Sequence, residues 1–418
     1  MSGIISLFSL IVAVFFVFLS LKKLVDAEFN AFYATMLGMG GLVLVDISKY
    51  YYLDSSRVGW IGDDVYQKVA IVIIFSCITV GFSYFFSKRL ITKKRQCFFY
   101  KKKRTSFIKY IKFIVFPLSI IFLLLNDRSG YASMVGSCIK GLLVALFIYG
   151  IFEKDRMAVI VSIISLFTAV DDSSRRAYIA IFMPIIFIYP YVIKNKYGNV
   201  NLKVKLILVV FLFFIFIFLN AIRSSNDFGV GFDPDRKVSN TLYYMKNLTS
   251  VDTFYNTAFL IERFPKPWDF FYGETYLSVL VAPIPRSLWN DKPVGLGAPL
   301  GLMNRYSYRG KFDNYFWEQA NQFTLSPGFV GEAYANFGYA GVFLISLLLG
   351  IVAAFFDNKI IFQGITAATI PWIMFLSTFI LVHRGDFYVS VNYQIFMFLT
   401  ASIFFKFSYS RYSWRFLK

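Results

Sequence analysis

The stretch "NFGYAGVFLISLLLGIVAAFF", residues 336–356, carries no charged residue along its whole length. A helix of about twenty apolar residues, each rising about 1.5 Å, crosses the roughly 30 Å hydrocarbon core of a bilayer. Windows of the same kind recur near 3–21, 29–48, 68–87, 107–126, 131–152, 157–171, 177–193, 203–222, 361–382 and 388–407. The pattern predicts an all-α polytopic membrane protein with about eleven transmembrane helices. Composition agrees, because 57% of the 418 residues are hydrophobic and 16% are charged, against about 25% charged in a soluble domain.

The net charge of +19 would suggest a nucleic-acid partner in a soluble protein. In a membrane chain it is the expected surplus of Lys and Arg in cytoplasmic loops, so no nucleic acid is expected. The loop "KRLITKKRQCFFYKKKRTSFIK" (88–109) holds ten Lys or Arg and no acid. Such a block is expensive to translocate and is placed in the cytoplasm. Alternation then puts Lys22/Lys23, Lys154/Arg156, Lys194/Lys196, Lys359 and the tail "RYSWRFLK" inside as well. The expected topology has the N-terminus outside and the C-terminus inside. Residues 3–21 lack a charged leading region and a small-residue cleavage site, so they read as a retained helix. Cys77, Cys97 and Cys138 lie in or beside early apolar runs, which does not support a disulfide framework.

Three regions follow: residues 1–222 with the first eight spans, a large extracytoplasmic loop at 223–328, and residues 329–418 with the last three spans and a cytoplasmic tail. A loop of that length without structure is unusual unless functional, so a folded cap with short helices is expected. Its segment "APIPRSLWNDKPVGLG" (282–297) is stiffened by three prolines and carries Arg286 and Lys292.

The outer face gathers cations from separate segments. Arg175 and Arg176 lie in "DDSSRRAYIA", Arg223 ends the eighth window, Arg305 and Arg309 follow Lys292, and Arg384 follows His383 in "HRGDF". Any one of them suits an interfacial arginine that snorkels to water. Together they fit that reading poorly, because short outside loops are expected to be Arg-poor. The planar guanidinium fork suits bidentate contact with phosphate, which points to a phosphate-bearing lipid or a charged glycan.

Glu332, in "SPGFVGEAYANFGYAG" (326–341), is an acid where the chain returns to the apolar phase. It reads either as a general base or as a plain interfacial acid, and Asp386 is a second candidate. Gly328, Gly331, Gly338 and Gly341 would allow close helix packing or a broken turn there. Lys140 and Asp46 fall within windows, where charges usually face the bundle interior. A lone His383 and no Cys/His cluster give no zinc site. No phosphate-binding glycine loop of the nucleotide-hydrolase type is present. "DPD" (233–235) has a two-acid spacing that arises easily by chance.

"PIPRSLWNDKP", then "SPGFVGEAYANFGYAG", then "HRGDF" before a final span resembles the O-antigen polymerases, the Wzy-type polymerases of oligosaccharide repeat units. "DDSSRRAYIA" is similar to a junction in the same family; the likeness covers mainly 171–387, and the first 150 residues match in hydropathy only. The resemblance implies a fold like the GT-C-like lipid-linked-sugar glycosyltransferases, in the bacterial inner membrane. It implies transfer of a growing glycan from undecaprenyl pyrophosphate to the non-reducing end of a fresh undecaprenyl-pyrophosphate-linked repeat unit at the periplasmic face. No cofactor, metal or nucleotide is implied. Besides the bilayer and the lipid-linked glycans, a chain-length-regulating protein and a flippase are the implied partners.

On that reading Arg176, Arg223, Arg286 and Arg384 hold the pyrophosphate, with Arg175 and Lys292 beside them. Glu332 deprotonates or orients the acceptor hydroxyl, with His383 and Asp386 as reserves. Glu332, Arg286 and Arg384 are thus the expected catalytic residues. Two alternatives stay open: an O-antigen ligase that delivers the glycan to lipid A core, and a flippase for the same lipid-linked unit.

Overall fold

The computed structural model describes residues 2–26, 28–44, 62–91, 99–100, 130–169, 181–188, 253–285, 287–306, 324–363, 369–408 and 414–415, with single positions at 111, 114 and 117. These residues are almost entirely helical. The helices are α1 (Ser2–Val25), α2 (Ala31–Gly38), α3 (Asp63–Ile91), α4 (Gly130–Glu153), α5 (Arg156–Ala169), α6 (Thr253–Arg263), α7 (Glu274–Val281), α8 (Gly297–Tyr306), α9 (Gly328–Gln363), α10 (Ile370–Leu381) and α11 (Phe387–Ser408). Residues 181–188 are helical too, and α2 runs on into a π-helical turn, Met39–Leu44. One antiparallel pair, Phe99–Tyr100 with Trp414–Arg415, is the exception to helix.

Among the described residues five helices are long and apolar enough to cross a membrane, with windows Leu7–Leu24, Asp64–Ile91, Met134–Glu153, Gly328–Ile360 and Phe387–Ser408. Two shorter apolar helices, Arg156–Ser165 and Ile370–Leu381, accompany them. The expected window at 203–222 lies outside the described residues, as do most of 107–126 and part of 177–193.

The surfaces of these helices identify their solvent. On α3, Ile71, Phe75, Ile78, Phe82 and Phe86 are exposed at steps of three and four, while Tyr66, Ala70, Ile73, Val80 and Tyr84 on the opposite face are buried. On α9, Phe343, Leu344, Leu348, Val352 and Phe355 are exposed in the same way. Stripes of large apolar side chains this long are untenable in water and ordinary in lipid. The chain is a polytopic membrane protein.

Without a hydrophobic drive in lipid, helices associate through close backbones and buried polar pairs. The α3–α9 contact uses both devices. A side chain at Gly350 would run into Val80 and Ser83 of α3, and Ser76 and Ser346 share a hydroxyl hydrogen bond at 2.7 Å. Between α4 and α11, a Cβ at Gly141 would stand 2.6 Å from Met397 Cα.

Two spans begin well away from their hydropathy windows. Helix α9 begins at Gly328 instead of near 336 and is broken at Gly338, whose φ of 63° and ψ of −153° are not helical. The break diverts two carbonyls: Ala335 O and Asn336 O accept from Phe271 N and Tyr272 N at 3.0 and 3.1 Å. Helix α10 begins at Ile370 rather than near 361, with Thr369 as N-cap and a proline in its first turn, where the missing N–H costs nothing.

The described part of residues 223–328 is folded. Phe254, Phe259, Phe264 and Trp268 pack with Phe329, Val330 and Tyr334 of α9 in one buried cluster. Helix α6 rides on the start of α9: a Cβ at Gly331 would be 3.0 Å from Thr257 Oγ1, and Asn256 Nδ2 donates to Ser326 O at 3.0 Å.

Candidate functional site at the head of α9 and α11

Glu332 sits on the first segment of α9, ahead of the break, and is completely buried. Its Oε2 accepts the backbone N–H of Phe387, the first residue of α11, at 2.5 Å. Its Oε1 has no hydrogen-bond partner among the described residues. Thr275 and Asp386 stand beside the carboxylate. So does Tyr276, whose ring meets Phe387 edge-on at 5.2 Å. Burial, with the charge of Glu332 adding to it, pushes the Tyr276 phenol well above its ordinary range. It remains a neutral O–H, and that hydroxyl has no partner among the described residues.

Asp386 is spent differently. Its Oδ1 accepts from Val389 N at 3.0 Å, capping α11, and its Oδ2 accepts from Gly297 N at 2.9 Å, at the start of α8. One carboxylate thus caps two helices, each supplying unpaired N–H groups and a positive dipole end. The approach requires glycine: a Cβ at Gly297 would lie 2.7 Å from Asp386 Oδ2, and one at Gly295 would lie 2.5 Å from Tyr388 Cβ. The loop ending in "PVGLG" is seated directly on the head of α11.

His383 and Arg384 occupy the turn before Asp386, which is held by Arg384 N donating to Leu381 O at 3.0 Å and Ser390 Oγ donating to the same carbonyl at 3.1 Å. His383 is fully buried, edge-on to Phe329 at 4.8 Å. A Cβ at Gly38 would run into its ring. Neither ring nitrogen has a hydrogen-bond partner among the described residues. Burial pushes the imidazole down to about 3, so it is neutral at physiological pH. As a neutral ring it can donate one hydrogen bond and accept another. Arg384 is half-buried.

Lys292 closes the other end of the proline-rich loop. Its Nζ donates to Ala282 O at 3.1 Å and Ile284 O at 2.7 Å, just past the C-terminus of α7, where a cation complements the helix dipole. It also lines a cleft of about 310 Å³ with Phe271, Glu274, Leu277, Trp289 and Asp291.

The structure therefore brings Glu332 and Asp386 together, places His383 and Arg384 on the turn that leads into Asp386, and gives Lys292 a role in shaping the loop whose Gly297 meets Asp386. Arg175, Arg176, Arg223 and Arg286 lie outside the described residues, as do Asp46, "DPD" and Arg309. Lys140 is buried on α4, the helix that packs against α11. Among the described residues no group of three or more His, Cys, Asp or Glu gathers as a metal site would require.

Sequence reasoning missed Thr275, Tyr276 and Asn336. Asn336 Nδ2 donates to Thr275 Oγ1 at 2.7 Å and to Glu332 O at 2.8 Å, while its Oδ1 accepts from Gly273 N at 2.9 Å. The amide stitches α7 to the broken turn and so fixes the wall beside Glu332. Its signal was the i, i+4 spacing from Glu332 on a helix about to break at glycine. Compared with family models, curated proteins and solved structures, the chain matches none.

Proposed function

We propose that the chain is a membrane glycosyltransferase that polymerises lipid-linked oligosaccharide repeat units, with its active site at the heads of α9 and α11. The observation that supports this most is convergence. The loop ending at Gly297, the segment bearing Glu332 and the turn bearing Asp386 are far apart in sequence, 89 residues between Gly297 and Asp386 and 55 between Glu332 and Phe387. Direct backbone-to-carboxylate hydrogen bonds join them. These are the segments that carry the resemblance to the O-antigen polymerases.

In the proposed reaction the acceptor sugar's hydroxyl oxygen attacks the anomeric carbon of the donor glycan. The bond from that carbon to the pyrophosphate oxygen breaks, and undecaprenyl pyrophosphate leaves with the electron pair. The hydroxyl proton passes to Glu332, whose Oε1 is not committed to a described partner while Oε2 is held by Phe387 N–H. Arg384, with Arg286, Arg176 and Arg223 as the further candidates, stabilises charge growing on the leaving group; such a donor is typically worth 10²–10³ in rate, about 2.7–4 kcal/mol. Asp386 serves this site as a positioning residue, since both its oxygens accept backbone N–H groups. The periplasmic face of the inner membrane is the proposed setting.

The test is direct. Purified protein in nanodiscs is given undecaprenyl-pyrophosphate-linked repeat units without metal or nucleotide. A ladder of two, three and more repeats on lipid is the expected product. Folded protein that makes no ladder overturns the reading, and transfer onto added lipid A core instead would identify a ligase.

A further inference from the structure

Helix α7 turns two leucines outward. Thr275 and Ser278 are buried, together with Val279 and Val281, while Leu277 and Leu280 are exposed, Leu280 at 76%. The buried polar pair is satisfied internally: Thr275 Oγ1 accepts from Asn336, and Ser278 Oγ donates to Thr275 O at 2.5 Å. A surface helix in water keeps its large apolar side chains on the buried face. The exposure does not end with α7. Leu288 is 80% exposed, Tyr272 is 74% exposed, and Trp289 is partly exposed, all on the segments flanking α7.

The patch is continuous with the lipid-facing side of α9. Gly273, at the start of α7, stands against the ring of Phe337, which a Cβ there would approach to 3.1 Å. Phe337 and Tyr339 are themselves exposed, and the stripe goes on through Phe343 and Leu344. The segment is also held rigidly enough to keep this orientation. Phe271 N, Tyr272 N and Gly273 N are tied to the broken turn of α9, and Lys292 clamps the carbonyls after the other end.

We propose that α7 and the turn that follows it at Leu288 and Trp289 form a membrane-contact element lying in the interface, with Leu277, Leu280, Leu288 and Trp289 in contact with bilayer lipid. Apolar side chains on one face, an aromatic at the boundary and polar residues behind them are the composition of an interfacial helix. The element holds the cleft beside Trp289 at the level of the lipid headgroups, so a lipid-borne ligand enters it sideways from the membrane. This inference rests on the membrane character of the chain and is independent of which reaction the site performs.

The experiment places single nitroxide labels on the full chain in liposomes, after Cys77, Cys97 and Cys138 are replaced by serine. Labels go on L280C and L288C, with F82C on the exposed stripe of α3 as the lipid standard and D269C as the water standard. Power saturation then compares collisions with oxygen, which concentrates in lipid, and with a water-soluble nickel chelate. The expected result is that Leu280 and Leu288 sites match Phe82, with the oxygen-to-nickel ratio inverted relative to Asp269. A ratio like that of Asp269 overturns the proposal. Protection from both reagents overturns it too, because the face is then covered by protein. Should either leucine variant fail to fold, Y272C reports on the same face.

Discussion

Helix α9 carries a fully buried carboxylate near each end, and the two are provided for in opposite ways. Asp357 is completely committed: Oδ1 accepts from Ala31 N at 2.6 Å, at the head of α2, and Oδ2 accepts from Tyr84 OH at 2.5 Å, whose oxygen takes a further hydrogen bond from Lys88 at 3.0 Å. Glu332 has one oxygen on Phe387 N–H and the other without a described partner. A buried acceptor left idle costs about 1–3 kcal/mol. The same helix saturates the carboxylate of Asp357 and leaves one oxygen of Glu332 without a described partner, a contrast that fits the proposed role of Glu332.

Substitutions at the two ends test this contrast. Glu332→Gln keeps an oxygen for Phe387 N–H, so protein level and unfolding temperature in detergent should hold while polymerisation falls about 10²–10⁴-fold, the range of general-base catalysis. Unchanged turnover in the nanodisc assay would make Glu332 a second Asp357, a structural acid. Arg384→Ala should lower the rate about 10²–10³-fold, read from the same ladder; a normal ladder removes it from the leaving-group site. Asp357→Asn should do the reverse of Glu332→Gln, costing about 1–3 kcal/mol of stability through a broken buried bond with turnover per folded molecule intact. A rate defect in folded Asp357→Asn protein would mean the two ends are coupled.

Gly338→Ala probes the break that separates the Glu332 segment from the span. At φ 63° and ψ −153°, with the Phe270 ring 3.2 Å from where the added methyl would stand, the substitution should cost about 1–3 kcal/mol. A melting temperature equal to wild type would show that the segment straightens without penalty. The smallest effect concerns acid. Buried His383 takes no proton in the folded chain until about pH 3, whereas an unfolded histidine does so below about 6.5. The unfolded state therefore binds more protons between those values, and stability declines as pH falls through that window. His383→Phe should flatten the loss of melting temperature between pH 7 and pH 5.

Hydropathy located the spans well where a helix is uniformly apolar. The windows 131–152 and 388–407 became Gly130–Glu153 and Phe387–Ser408. It misplaced the start of α9, because Glu332 and Asn336 lower the average over a turn that is nonetheless helical and buried. It could not see the break either, since Gly338 differs from Gly341 in backbone angle, not in composition. In the candidate site, Glu332 and Asp386 stood out as acids at junctions. That one acid is saturated and the other is not depends on where a distant loop returns Gly297. Thr275 and Tyr276 lay in an unremarked apolar stretch, because nothing local distinguishes a hydroxyl that meets a carboxylate from one that meets water.

The double cap at Asp386 also has a meaning in time. The chain is synthesised from its N-terminus, and 89 residues separate Gly297 from the carboxylate that receives its N–H. At about 5–20 residues per second, roughly 4–18 seconds pass between the two. During that interval α8 exists without its anchor, and Glu332 waits likewise for Phe387. Docking of that loop thus waits for the head of α11, and a nascent chain halted before it holds every motif of the loop but no assembled pocket.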